Sequence, residues 1–269
     1  MTATYVDGGV LITGTHFDIA QTFLCGQCFR FDRTADGFGG IAQNRHVSLV
    51  QTDEGVLIRT TKSDFESIWR RYFDLDTDYD AMIDTFPRDD VHLCDAVSHC
   101  GGIRILRQDA FEALISFVIS QNNNIPRIKK LISALSERYG TRIDGGYAFP
   151  TPESLINANI DDMHFGYRAP YIISAARDYY DGRLSFERIA TMSYPDAKKE
   201  LLLTHGIGPK VADCALLFGY GFMQAFPVDT WIKKVMAERY GKGFDPSYFG
   251  RYAGLAQQYL FYYERGTRE

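Results

Sequence analysis

The sequence predicts an α+β protein: a small N-terminal antiparallel β-sheet domain followed by a mainly helical domain. Three observations lead there. Residues 46–51 and 56–60 are strand-like runs flanking Thr52-Asp53-Glu54-Gly55, which reads as strand, turn, strand. From Gly101 onward, apolar residues recur at helical spacing between short polar loops. The charge balance changes at the same place: residues 1–100 carry 8 Lys+Arg against 16 Asp+Glu, and residues 101–269 carry the other 21 and 18. The expected domains are therefore 1–100 and 101–269.

In the first part, glycines at 8, 9, 14, 37, 39 and 40 punctuate shorter strands. Ser63 and Glu66 have the spacing of a capping box and open a helix that runs through Tyr72. The acidic residues of 74–80 and 88–90 read as solvated loop and helix-cap carboxylates. In the second part, Phe111, Leu114, Ile115, Val118 and Ile119 share one face of a helix over 109–120. Ile128, Leu131, Ile132 and Leu135 do the same over 125–139, with Gln121-Asn122-Asn123-Asn124 between the two. Further helices are expected over 152–158, 169–180, 194–203, 209–220, 228–240 and 246–263, several with proline, Ser, Thr or Asp at the start. The chain has no fixed-period repeat and no low-complexity segment.

With 45% hydrophobic and 23% charged residues, the composition excludes a disordered chain. No apolar run approaches the roughly eighteen residues of a membrane span, and residues 1–10 lack the basic and apolar regions of a signal peptide. Five cysteines cannot all pair and suit a reducing compartment. The expectation is a soluble intracellular monomer, in the cytoplasm or nucleoid of a bacterium or the nucleus of a eukaryote. The net charge of −5 is concentrated before residue 101, which leaves the rest free to meet phosphates.

Residues 196–220 read as helix, glycine-rich hairpin, helix, with Gly206-Ile207-Gly208 at the turn. Two glycines around one apolar residue let backbone N–H groups approach a phosphate at the positive end of the helix that starts near Pro209. The plain alternative is a tight turn between packed helices. Lys210 falls in the first turn of that helix, where the dipole disfavours a cation. That field, with partial desolvation, would lower its pKa and free a nucleophilic amine; otherwise it is a surface lysine paired with Asp213. Asp229, in Pro227-Val228-Asp229-Thr230, stands at a helix start and serves either as an N-cap or as a carboxylate for catalysis. An amine and a carboxylate beside a phosphate-binding hairpin suit cleavage of an N-glycosidic bond in DNA, the amine attacking C1′ while the carboxylate stabilises an oxocarbenium-like charge.

The run from Gly206 to Cys214, with Pro227-Val228-Asp229, resembles the helix-hairpin-helix glycosylase superfamily, and specifically the 8-oxoguanine DNA glycosylases that also act as AP lyases. The resemblance continues in family order through Gly26-Gln27-Cys28-Phe29-Arg30-Phe31, residues 102–109, Ser120-Gln121-Asn122-Asn123-Asn124-Ile125-Pro126-Arg127, Phe165-Gly166-Tyr167-Arg168-Ala169 and residues 253–261. It implies a glycosylase fold for the helical domain, duplex DNA containing 8-oxoguanine opposite cytosine as partner and substrate, and no cofactor.

By the same resemblance, Lys210 forms a Schiff base and Asp229 assists base loss, after which β-elimination nicks the strand. The lesion base is extruded from the duplex, and Phe261 stacks on one face while Cys214 contacts the other. Gln257 reads the Watson–Crick edge, and the Gly26 carbonyl accepts the N7 hydrogen that guanine lacks. Asn122 fills the hole, Arg127 and Arg168 bond the estranged cytosine, and Tyr167 is the wedge, with Gly206 and Gly208 on the phosphate. The chain departs from the family pattern in three places: Trp231 stands where eukaryotic members usually carry histidine, Thr204-His205 replaces the usual apolar-proline lead into the hairpin, and Leu255 stands where tryptophan is common. Cys25-x2-Cys28 has no convincing second ligand pair, so no metal is expected. The rival readings are a glycosylase for another damaged purine, which Lys210 disfavours, and a non-catalytic hairpin protein that binds DNA phosphates.

Overall fold

The computed structural model describes residues 1–266. Strands β1 (Thr2–Val6), β2 (Gly9–Thr13), β3 (Phe31–Arg33), β4 (Phe38–Ala42), β5 (Arg45–Gln51) and β6 (Val56–Arg59) form one sheet in the order β1-β2-β6-β5-β4-β3. The pairs β1–β2, β2–β6 and β3–β4 are antiparallel. A two-stranded hairpin, β7 (Arg142–Ile143) and β8 (Gly146–Tyr147), follows later. The helices are α1 (Ile19–Leu24), α2 (Lys62–Asp64), α3 (Arg70–Tyr72), α4 (Tyr79–Ile83), α5 (Val91–Cys100), α6 (Ala110–Ser120) and α7 (Ile125–Tyr139). They continue with α8 (Pro152–Leu155), α9 (Ala169–Tyr180), α10 (Phe186–Ala190), α11 (Tyr194–Leu202), α12 (Pro209–Ala215), α13 (Thr230–Arg239) and α14 (Ala253–Gly266).

The expected turn at 52–55 closes through Thr52 N–H to the Gly55 carbonyl at 2.8 Å. The acidic stretch caps helices as expected, Asp78 accepting from Ala81 N–H and Asp90 from Leu93 N–H. The helix over 62–72 starts two residues earlier than a Ser63 cap would place it, because Thr61 and not Ser63 takes the cap position and accepts from Asp64 N–H. A π-helical turn, Phe65–Trp69, lies between α2 and α3, and another, Leu216–Tyr220, extends α12. The segment before α14 is a 3₁₀ helix, Pro246–Tyr252, broken at Gly250.

Contacts gather the chain into two compact units, Met1–Gln27 with Leu49–Leu106 and Phe222–Glu269, and Cys28–Ser48 with Arg107–Gly221. The sequence pattern changes near residue 100, but the compact units follow packing, and α14 packs on α5.

In the second unit, α6 is apolar nearly all round, with nine of its eleven residues buried, as befits a central helix. It packs against α7, α9 and α12. Phe117 on α6 stacks on Phe218 at 5.4 Å and meets Phe29 edge-on at 5.5 Å.

In the first unit, Phe65, Trp69 and Phe73 are fully buried, and Trp69 stacks on Phe73 at 5.8 Å. Beside them lies Arg104, a guanidinium with no exposure. It donates to the carbonyls of Phe73 at 3.0 Å, Thr77 at 3.2 Å and His16 at 3.2 Å, to Thr15 Oγ1 at 3.0 Å and to the Asp74 carbonyl. Its charged plane lies 4.2 Å from the centroid of Tyr79. A buried cation persists where its donors are satisfied, and those donors in turn satisfy loop carbonyls that no helix or strand serves. Arg104→Met keeps the bulk and removes every donor, so urea unfolding is expected to show a loss of about 3 kcal/mol or more. A loss below about 1 kcal/mol would mean that those carbonyls find other donors.

Candidate functional site

The hairpin joins α11 to α12. Ile207 N–H donates to the Thr204 carbonyl at 3.1 Å, and Thr204 Oγ1 donates to Asp178 at 2.7 Å. The turn requires left-handed backbone at Gly206, whose φ is +86°. It also requires the absence of a side chain, because a Cβ there would stand 2.0 Å from Tyr171 Cγ. The Gly206 carbonyl accepts from Gln121 Nε2 at 3.2 Å, which ties the hairpin to the end of α6.

Gly208 is different. Its φ of −92° and ψ of 174° suit any residue, and a Cβ there would have nothing within 4 Å. It is the N-cap of α12 and offers no side-chain cap, whereas α5, α6, α7, α11 and α13 are capped by Asp90, Asp109, Asn124, Ser193 and Asp229. The first-turn N–H groups of α12 are thus left for an outside acceptor. A hollow of about 530 Å³ opens here, lined by Asn122, Tyr167, Tyr171 and residues 202–208 among others.

Lys210 is half-buried in the first turn of α12. The pairing with Asp213 does not form. Asp213 is 4% exposed and accepts from Lys198 Nζ at 2.8 Å and Tyr194 OH at 2.7 Å. Burial pushes its carboxyl above the usual carboxylate range, while Lys198 and Tyr194 pull it back. Lys210 Nζ instead donates to Ser120 Oγ at 3.2 Å and lies 4.7 Å from the ring centroid of Phe117. Within its unit no carboxylate pairs with it. Cys214, one turn further along, shares the Lys210 face of α12 and is 2% exposed.

Asp229 caps α13, accepting from Ile232 N–H at 2.7 Å, and is half-buried. Trp231 lies in the first turn of that helix. The cap fixes the carboxylate's position without preventing a chemical role, since a carboxylate has two oxygens.

Gly26 has φ +78°, and a Cβ on it would lie 3.5 Å from Phe261 Cε1, so its backbone faces the edge of that ring. The loop is fixed by its neighbour: Gln27 donates to the carbonyls of Thr22 at 2.9 Å and Arg104 at 2.8 Å and accepts from Leu106 N–H at 2.9 Å. Gln257 and Phe261 stand one turn apart on α14. Gln257 is 3% exposed, and its Oε1 accepts from Gln258 Nε2 at 2.6 Å.

The three asparagines divide the work of one turn. Asn122 takes left-handed backbone, φ +45°, and donates to Tyr167 OH at 3.0 Å. Asn123 donates to the Ile119 carbonyl at 3.1 Å, and Asn124 caps α7 by accepting from Arg127 N–H at 3.0 Å. The two arginines assigned to one task differ. Arg168 is 5% exposed and donates to the carbonyls of Gln121 at 2.7 Å, Asn122 at 2.9 Å and Phe165 at 3.2 Å. Arg127 is exposed and, among the described residues, its side chain is held by the carbonyl of His164 alone at 3.0 Å, and His164 itself has φ +61°. The guanidinium of Arg168 therefore supports the asparagine turn, and that of Arg127 is presented to solvent.

All five cysteines are free thiols, and burial pushes Cys25 up to about 12. Among the described residues no three His, Cys, Asp or Glu side chains are grouped to hold a metal.

The helix-hairpin-helix with an uncapped, glycine-led second helix defines a class: residues 115–248 match the family model described as HhH-GPD superfamily base excision DNA repair protein. Residues 10–114 match that of the 8-oxoguanine DNA glycosylase N-terminal domain. The chain is similar to a Clostridium acetobutylicum 8-oxoguanine glycosylase/lyase solved with double-stranded DNA containing cytosine opposite 8-oxoguanine. The TM-score is 0.92 at 36% identity, covering 100% of this chain and 99% of that one. It is 30% identical to the Arabidopsis thaliana N-glycosylase/DNA lyase OGG1 over 93% of this chain and 78% of the relative. With the Saccharomyces cerevisiae N-glycosylase/DNA lyase it shares 37% identity over 52% of this chain and 42% of the yeast protein. The chain belongs to the 8-oxoguanine DNA glycosylase family.

Sequence reasoning assigned no part to Tyr171, Lys198, His164, Gln258 or the Ser120 hydroxyl. Ser120 heads the asparagine segment and Gln258 follows Gln257, so both were within reach; Tyr171 acts through the packing of its ring on Gly206 and His164 through its backbone carbonyl, and neither carries a sequence signal.

The two hairpin glycines should separate on substitution. Gly206→Ala is expected to cost more than 1 kcal/mol in thermal or urea unfolding, from positive φ and the Tyr171 clash together. Gly208→Ala should change stability by less than about 0.5 kcal/mol while weakening duplex binding in a salt titration. Equal DNA affinity for Gly208→Ala and the unaltered protein would remove the phosphate role of that position.

Proposed function

We propose that this chain is a bifunctional DNA glycosylase/AP lyase that excises 8-oxoguanine opposite cytosine from duplex DNA and nicks the resulting abasic site, acting as a monomer. The observation that carries the reading is the state of Lys210: it stands in the first turn of the hairpin helix, seated on a serine and an aromatic ring, with Asp213 committed to Lys198.

The reaction follows from the assigned roles. The extruded base stacks on Phe261 and meets Cys214, with its N7–H donated to the Gly26 carbonyl and its Watson–Crick edge read by Gln257. The Lys210 amine attacks C1′, the N-glycosidic bond breaks, and the base leaves with a proton while Asp229 stabilises the positive charge on the sugar. Ring opening gives an imine. Loss of a C2′ proton expels the 3′ phosphate, and water hydrolyses the imine to regenerate the lysine. The hydrogen bond at Gly26 discriminates, because guanine would turn an N7 lone pair toward the carbonyl.

Asn122 and Tyr167 project together at the tip of the asparagine turn, Asn122 filling the space the base leaves and Tyr167 serving as the wedge beside the estranged cytosine. Arg127 and Arg168 bond the estranged cytosine through its N3 and O2 acceptors, and Arg168 also holds the asparagine turn through the carbonyls of Gln121 and Asn122. An enzyme of genomic DNA works inside the cell, in the nucleoid or the nucleus, and among the described residues no helix is long and apolar enough to cross a membrane.

Borohydride trapping tests the reading on a duplex with one 8-oxoguanine opposite cytosine, beside undamaged, alkylated and abasic duplexes. A trapped adduct is expected on the lesion and abasic duplexes, absent in Lys210→Gln although that variant still binds DNA. An adduct formed by Lys210→Gln, or none by the unaltered chain on any duplex, rejects it. Arg127→Ala should lose about 1–3 kcal/mol of preference for cytosine over other opposite bases. Unchanged opposite-base selectivity would take that role from Arg127.

A further inference from the structure

Ser120 ends α6, and its side chain carries more than a helix terminus needs. Its hydroxyl donates to the Phe117 carbonyl at 2.8 Å, one turn back, and accepts from Lys210 Nζ at 3.2 Å. A hydroxyl has one hydrogen and two lone-pair sites. With the hydrogen committed to Phe117, what faces Lys210 is an acceptor of fixed direction. The same amine lies 4.7 Å from the Phe117 ring centroid. That ring is itself immobile, 2% exposed and packed against Phe218 and Phe29. One turn of one rigid helix therefore contacts the amine twice.

We propose that Ser120 is the positioning residue for the nucleophile, its hydroxyl holding one N–H of Lys210 so that the remaining substituents of the nitrogen are aimed in one direction. The inference rests on Lys210 being the nucleophile. A lysine side chain has four flexible torsions, and attack on C1′ needs the nitrogen within a narrow range of distance and angle. Phe117 supplies a surface and Ser120 supplies the direction. A neutral hydroxyl orients the amine without the Coulombic hold of a carboxylate, and the commitment of Asp213 to Lys198 and Tyr194 keeps that carboxylate away. When the amine bonds to C1′ the nitrogen gains a positive charge, which it loses by giving a proton to the departing base, and the serine oxygen remains the acceptor for the N–H that is left.

The test uses the full chain, with enzyme in saturating excess over a preformed abasic duplex, so that base recognition and affinity do not enter. The readout is the rate of borohydride-trapped adduct. Ser120→Ala is expected to slow trapping about tenfold, the worth of one aligned hydrogen bond, with duplex affinity and melting temperature unchanged. Ser120→Thr keeps the hydroxyl and should stay within about threefold of the unaltered protein. A merely structural hydroxyl would move the melting temperature and leave the trapping rate alone. Ser120→Ala trapping at the original rate, or Ser120→Thr as slow as Ser120→Ala, overturns the proposal while loss of adduct in Lys210→Gln keeps the nucleophile assignment. An adduct in Lys210→Gln overturns both.

Discussion

The buried polar network of Thr22, Gln27 and Arg104 is the constraint on which the first unit depends. Arg104 N–H donates to Thr22 Oγ1 at 3.1 Å, the Arg104 carbonyl accepts from Gln27, and the guanidinium reaches two further loops. Gln27 and Arg104 have no exposure, so each hydrogen bond is made where water cannot substitute. The network's product is a loop of fixed shape. Gly26 precedes Gln27 and keeps a left-handed conformation beside Phe261 because its neighbour is bound on both amide atoms. The role proposed for the Gly26 carbonyl requires that it be held still, and fully satisfied buried amides hold a loop more firmly than solvent-exposed ones do.

In the second unit, electrostatics are arranged by diverting a carboxylate. Asp213 is three residues from Lys210, the spacing of an ordinary helix ion pair. Lys198 and Tyr194, from α11, take both of its oxygens, so the pair forms between helices and the first turn of α12 keeps its cation unneutralised within the unit. The arrangement has a stability cost, since a buried carboxylate is paired with a partly exposed lysine. Its effect is that the Lys210 side chain rests on a neutral hydroxyl and an aromatic ring instead of on a carboxylate.

Much of this was legible in the sequence because it rests on local chemistry. The turn at 52–55, the caps at Asp78 and Asp90, the helices begun by Asp109 and Asn124, and the hairpin at Gly206 are written in short-range patterns. The family resemblance supplied the roles. The π-helical turns were not legible, because an extra residue in a helical turn leaves the hydrophobic spacing almost unchanged. Nor was the grouping of α14 with the N-terminal strands, which is a matter of packing between distant segments. The capping box at Ser63 gave way to Thr61 because both have the right chemistry two residues apart, and only the course of the preceding strand decides between them.

Within the candidate site, the deciding distinction lies between polar groups the fold uses and those it leaves. Arg168 and Arg127 look alike in sequence, yet one guanidinium is filled by carbonyls of its own chain and the other has a single carbonyl and an open face. Gly206 and Gly208 look alike as well. One is required by Tyr171 and by its own dihedral, and the other satisfies no internal requirement. A glycine that the protein does not need for itself, at the uncapped start of a helix, leaves the space in front of the first-turn N–H groups clear. The same reasoning separates Asn122, at the exposed tip, from Asn123 and Asn124, whose amides serve the helices on either side. Residue type alone marks this region, and the hydrogen-bond partners separate the groups the fold uses for itself from those it leaves exposed.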